Sequence, residues 1–231
     1  MMNRLNCLKV AITTLLLVSL STVSAWQHQD QYPALTTKLS LPFNIGDLNL
    51  NNANLNPFGI VRFAADRGIG HGGIDIPLQE GSPIYAVADG VVIDIKPGKH
   101  ADDRNLLLLF DSKEAKDKGW IFIYESIDLD PTIQVGSVLS RGQHIATKNR
   151  AAYTSHMQLT YWQHGYYNNH QCWTDYLDSD EFVQYFENHM AKHENFVGFW
   201  RSQRAFRGLL DRSLYPEGAQ LCYPLGTDVR R

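Results

Sequence analysis

Apolar and polar positions change their period several times along this chain. Val10 to Leu20 is a continuous apolar run of about 11 residues, short of the roughly 20 that span a bilayer. Residues 26–56 are polar, with Asn49, Asn51, Asn52, Asn54 and Asn56 crowded together, and predict an extended lead-in with little structure of its own. Asn56-Pro57-Phe58-Gly59 is turn chemistry and marks a domain start. From there short strands alternate with turns. Ile84–Ala88 and Val91–Ile95 predict two strands joined in a hairpin at Asp89-Gly90. Leu106 to Phe110 is apolar without alternation, the pattern of a strand buried on both faces. Trp120–Tyr124 and the alternating run Ser155–Trp162 predict further strands, and residues 133–143 read as short extended pieces punctuated by glycine. No strand–helix–strand rhythm is present. The pattern predicts a mainly β fold over residues 57–165, an antiparallel, barrel-like sheet. Beyond it the period changes. Asp178 with Glu181 three residues on suggests a helix start, and Phe182, Phe186 and Met190 recur at i+4. A second helical run follows from about Glu194 to Leu210. Residues 166–231 therefore predict a helical C-terminal extension.

Composition and charge narrow the class. At 231 residues the chain has room for a sizeable core. Arg4 and Lys9 precede the first apolar run and Val23-Ser24-Ala25 ends it, so residues 1–25 read as a secretory signal cut after Ala25. Export to the periplasm or the medium is the expectation. Formal net charge is −3, and loss of the signal with its two cations leaves about −5. An acidic chain without a basic stripe is not a nucleic-acid binder, and no later run can insert in a membrane. Export leaves Cys172 and Cys222, which are expected to pair in an oxidising compartment and to stabilise by roughly 4 kcal/mol.

The stretch His71-Gly72-Gly73-Ile74-Asp75 is the first candidate chemistry. Two glycines inside a helix would cost roughly 1 kcal/mol each, so it reads as a tight loop entering a strand, with an imidazole and a carboxylate aimed at one spot. Those are two zinc ligands; a surface His and a turn Asp are the plain alternative.

Four ordered segments carry a resemblance. His71-Gly72-Gly73-Ile74-Asp75 is followed by Gly81-Ser82-Pro83-Ile84-Tyr85-Ala86-Val87-Ala88-Asp89-Gly90-Val91-Val92. Val135-Gly136 with Gly142-Gln143 comes next, and Ser155-His156-Met157-Gln158 last. Together they resemble the M23 (lysostaphin/LytM-like) zinc peptidases, exported enzymes that cut peptide cross-links of peptidoglycan. The resemblance implies a duplicated β hybrid-motif core. It also implies two zinc ligands from HxxxD, a third from a late HxH strand, and proton handling by the first His of HxH and by a His after the middle strand.

Carried over by position, His71 and Asp75 match two ligands and His156 matches the first, catalytic His of HxH. The third ligand falls on Gln158, a weak zinc donor beside an imidazole. The middle-strand motif falls on Tyr124-Glu125-Ser126-Ile127, so a serine stands where the resemblance expects the other catalytic His. Such a loss costs roughly 10²–10⁴ in rate. Glu125 can substitute only if a bulge turns it to the same side as the site; His144, His164 and His170 are further stand-ins. Zinc bound weakly or not at all follows. The leading expectation is a catalytically degenerate M23-like protein that binds peptidoglycan or regulates a cell-wall hydrolase. An active zinc endopeptidase with a remodelled third ligand is the alternative. A lipoyl-type carrier shares the hybrid motif but needs a lysine at a hairpin tip, where this chain has Asp89-Gly90.

Overall fold

The computed structural model describes residues 32–49, 51, 55–60, 70–100, 102–115, 118–163, 165–190 and 221–227. The chain divides into two compact units, Met1–Ala34 and Leu35–Arg231, and the second carries all that follows. The signal read over 1–25, the helical run from Glu194 to Leu210, and His164 lie outside the described residues.

Eleven strands are described: β1 (Phe58–Ile60), β2 (Ile74–Ile76), β3 (Pro83–Tyr85), β4 (Gly90–Pro97), β5 (Arg104–Ala115), β6 (Lys118–Leu129), β7 (Val138–Leu139), β8 (His144–Lys148), β9 (Ser155–Gln163), β10 (Tyr166–Gln171) and β11 (Cys222–Thr227). Nine form one antiparallel sheet with the path β10-β9-β6-β5-β4-β7. Strand β2 pairs with β9, and β3 joins through β8, which also pairs with β6. The sheet is open. Strands β1 and β11 form a separate parallel pair.

The central strands are covered on both faces, which their unbroken apolar runs require. Leu106 to Phe110 are all buried. On one face Leu107, Leu109, Ile121 and Ile123 cluster, with Ile93 and Trp162 packed against them. On the other, Phe122 lies against Tyr124 and Trp173, at centroid distances of 4.8 and 5.9 Å. Each such side chain contributes about 1.5–3 kcal/mol on burial.

The structure departs from the sequence pattern at Asp89-Gly90. Strand β3 does not pair with β4; it pairs with β8, and β4 pairs with β5 and β7. Between them Ala86, Val87 and Ala88 run through the core without a strand partner. Their backbone is satisfied elsewhere: Ala86 N–H donates to the Gln143 carbonyl at 2.9 Å, and Val87 N–H to the Tyr124 hydroxyl at 2.8 Å. These bonds carry the chain from one side of the sheet to the other.

Among its described residues the lead-in holds one helical turn, a 3-10 turn over Ile45–Asp47. Four apolar residues among its polar ones, Leu39, Phe43, Leu48 and Leu55, are nevertheless buried. Leu39 exchanges backbone bonds with Tyr176 and Asp178, and Phe43 meets the Phe182 ring edge-on at 5.1 Å.

Residues 166–171 continue the sheet as β10, so the C-terminal region begins with a strand. A helix over Glu181–Tyr185 then widens into a π turn over Phe186–Met190. Phe182, Phe186 and Met190 are buried, as their spacing predicts. Asp180, without a side-chain capping bond, stands at the N-cap position in place of Asp178, whose carboxylate pairs with Arg141. The sulfurs of Cys172 and Cys222 are bonded, joining the end of β10 to β11.

Candidate metal centre

Strand β2 lies antiparallel to β9 with Asp75 directly opposite His156. The loop before β2 must lie flush against β9, and Gly73 permits it. A Cβ there would come within 2.4 Å of the Met157 carbonyl oxygen and 2.7 Å of the His156 ring. No side-chain rotation relieves a clash with backbone.

His71 is buried, at 4% exposure. Its Nδ1–H donates to the Pro57 carbonyl at 2.8 Å, which leaves the Nε2 lone pair facing inward. That Nε2 lies 3.4 Å from Asp75 Oδ1 and 3.0 Å from His156 Nδ1. His156 Nδ1 lies 2.8 Å from the same Asp75 oxygen. The other Asp75 oxygen accepts from the Asn56 side-chain amide at 2.7 Å.

Charge follows from this crowding. Burial pushes the Asp75 carboxyl up, but the His71 and His156 imidazoles outweigh it and hold the group well below the usual carboxylate range. Burial also opposes a charge on His156. The hydrogen bond and charge of Asp75 overcome it, with Glu125 and Gln158 adding, so its pKa is raised. His156 Nε2–H donates to Gln158 Oε1 at 3.2 Å, and Gln158 Nε2 donates to His170 Nδ1 at 3.1 Å. His170 accepts there as the neutral imidazole; burial, then the charge of His156, lower its pKa.

The structure therefore brings His71, Asp75 and His156 together and leaves Gln158 one bond further out. Gln158 shares the face of β9 with His156, as side chains two apart must. Ser126 stands at a bulge. Leu106 pairs with Tyr124 and Arg104 with Ile127, so Asn105 faces two residues, Glu125 and Ser126. Ser126 takes a φ of 61° and donates its N–H to Asn105 Oδ1 at 3.4 Å. Glu125 lines a cleft of about 410 Å³ beside the cluster, with Gln158, His170, Lys96 and Tyr167. Of the other stand-ins, His144 is exposed on β8 next to Tyr85 and takes no part. In the sequence Asn56 and Pro57 carry the pattern of turn residues alone. Nothing local signals that a bridge pairs Asn56 with Asp75.

Two nitrogens and one oxygen lie within 4.8 Å of one another. Their separations of 2.8, 3.0 and 3.4 Å approach those of ligands about 2.0–2.1 Å from one tetrahedral zinc. A zinc ion held by these three side chains would keep a fourth position for another ligand, the pattern of catalytic rather than structural zinc. A second cluster, Cys172, Asp175 and Cys222, offers no comparable site because its sulfurs are bonded to each other.

Residues 69–170 match peptidase family M23. Among solved structures the chain is similar to Csd3 of Helicobacter pylori, at 16% identity and TM-score 0.43 over 81% of this chain and 47% of that one. It is similar to a zinc-containing peptidase of Vibrio cholerae, at 21% identity and TM-score 0.33 over 55% and 35%. The catalytic domain of lysostaphin from Staphylococcus simulans is a third, at 16% identity and TM-score 0.38 over 58% and 93%. The chain thus spans less than half the length of the first two. No curated protein matches its sequence significantly.

Proposed function

We propose that this chain, which belongs to peptidase family M23 through residues 69–170, is an exported protein of the bacterial cell wall that holds zinc but turns over peptide slowly or not at all. Its role would be to bind peptidoglycan or to regulate a cell-wall hydrolase. The observation that carries this reading is the triangle of His71 Nε2, Asp75 Oδ1 and His156 Nδ1.

That triangle alters the residue-by-residue carry-over. If His156 is the third ligand, it answers to the second His of HxH, and the first falls on Thr154. The middle-strand His falls on Ser126. Neither hydroxyl exchanges protons near neutral pH, and each missing acid or base costs roughly 10²–10⁴ in rate. The two losses act on one step and do not multiply. Zinc itself is better held than a glutamine ligand would allow, because the set is two imidazoles and a carboxylate. Zinc at this position would acidify a bound water and polarise a carbonyl. Gln158 would orient the His156 ring through its Nε2–H, and the 410 Å³ cleft would receive the ligand.

One observation favours a second reading, an active endopeptidase. Glu125 lines the cleft and its charge is felt by His156. A carboxylate beside a zinc-bound water can serve as general base. The test is to purify the protein without chelators, measure zinc per chain, and digest cross-linked muropeptides. The proposed reading expects about one zinc and at most slow cleavage that Glu125→Gln leaves unchanged. Cleavage that disappears in Glu125→Gln establishes the second reading instead, and metal-free protein removes the zinc from both.

A further inference from the structure

The three residues of the triangle are each steadied from outside, and the supports converge. Asn56 side-chain amide holds Asp75 at 2.7 Å, and the backbones of these two residues exchange bonds of 2.9 and 3.2 Å. The next residue, Pro57, takes the His71 Nδ1–H. Two residues further, Gly59 N–H donates to the His71 carbonyl at 2.8 Å. This strip is itself pinned. Phe58 N–H donates to the Leu221 carbonyl at 3.0 Å, and Phe58 lies in register with Cys222 on β11. Cys222 is bonded to Cys172, two residues beyond His170, which holds Gln158 and through it His156. Neither Asn56 nor either cysteine lies within the family match over 69–170.

We infer that Asn56 is a positioning residue for the metal centre, aiming Asp75 by its amide N–H, and that the Cys172–Cys222 bond keeps the Asn56–Gly59 strip in place. This rests on the proposal that His71, Asp75 and His156 hold zinc. A carboxylate without its outer partner can rotate its oxygen away from the ligand position, and such losses cost about 10–100-fold in metal affinity. The donor matters, not the volume. Asn56→Asp keeps the shape, loses the N–H and sets a second carboxylate beside Asp75.

The test is a zinc competition titration against a chromophoric chelator on the full chain, with thermal melts of the metal-free forms as control. Asn56→Ala and Asn56→Asp are expected to bind zinc about 10–100-fold more weakly than the parent. Metal-free melting of Asn56→Ala should fall only modestly, since the backbone bridge survives, and that of Asn56→Asp should fall further because its carboxylate repels Asp75. The pair Cys172→Ala/Cys222→Ala is expected to weaken binding too, and adding Asn56→Ala to it should cost less than in the oxidised chain. Zinc affinity of Asn56→Asp within about twofold of the parent overturns the inference and leaves the proposed zinc site standing. A parent that takes up no zinc overturns both.

Discussion

His156→Ala is expected to weaken zinc binding by more than about 100-fold, whereas Gln158→Ala weakens it by only about 10–100-fold. The order is opposite to the one that the HxQ spacing suggests, with Gln158 as ligand. It follows from register. Strand β2 sets Asp75 opposite His156, and the His156 Nδ1 reaches both Asp75 and His71. Gln158 touches neither; it accepts from the far side of the His156 ring and passes the bond on to His170. Removing Gln158 leaves the imidazole present but less firmly oriented. Removing His156 leaves two donors, too few for a closed coordination shell. Titration of both variants against a competing chelator checks the order, and equal losses would place Gln158 among the ligands.

Trp173→Ala is expected to cost about 3–5 kcal/mol, the loss of a fully buried large aromatic. For a chain of this size that lowers Tm by roughly 6–20 °C. Trp173 is 0% exposed. It stacks on Phe182 at 6.0 Å with an interplanar angle of 4°, and meets Phe122 edge-on at 5.9 Å. It therefore joins the C-terminal helix to the sheet at one point. Its Nε1–H is buried and finds no acceptor among the described residues. Trp173→Phe removes that unsatisfied donor while keeping most of the ring contact, so its cost should stay below about 1.5 kcal/mol. Thermal melts of the two variants separate ring packing from any role for the indole N–H.

Strands were legible wherever side-chain burial alone decides. Leu106–Phe110 and Ser155–Trp162 could be read because their pattern matches two covered faces and one, respectively. Long-range pairing was not legible. Asp89-Gly90 has the chemistry of a hairpin turn, yet bonds from Gln143 and Tyr124 divert the chain and give β3 and β4 different partners. The meeting of His71 with Asp75 follows from a glycine loop against a strand. The third member did not follow, because His156 and Gln158 point the same way and register alone separates them. Glu125 enters the cleft without help from a bulge: it pairs with His156 in the regular register of β6 and β9, on the face of Ile123, and the bulge at Ser126 comes after it. Asn56 had no local signal, since its partner Asp75 lies 19 residues on.

X-ray absorption at the zinc edge of the loaded protein tests the metal assignment most directly. His71, Asp75 and His156 as ligands predict the scattering of two imidazoles, completed by oxygen donors. A third imidazole in that shell would contradict the assignment by bringing His170 or another histidine to the metal, and a chain that retains no zinc would contradict it entirely.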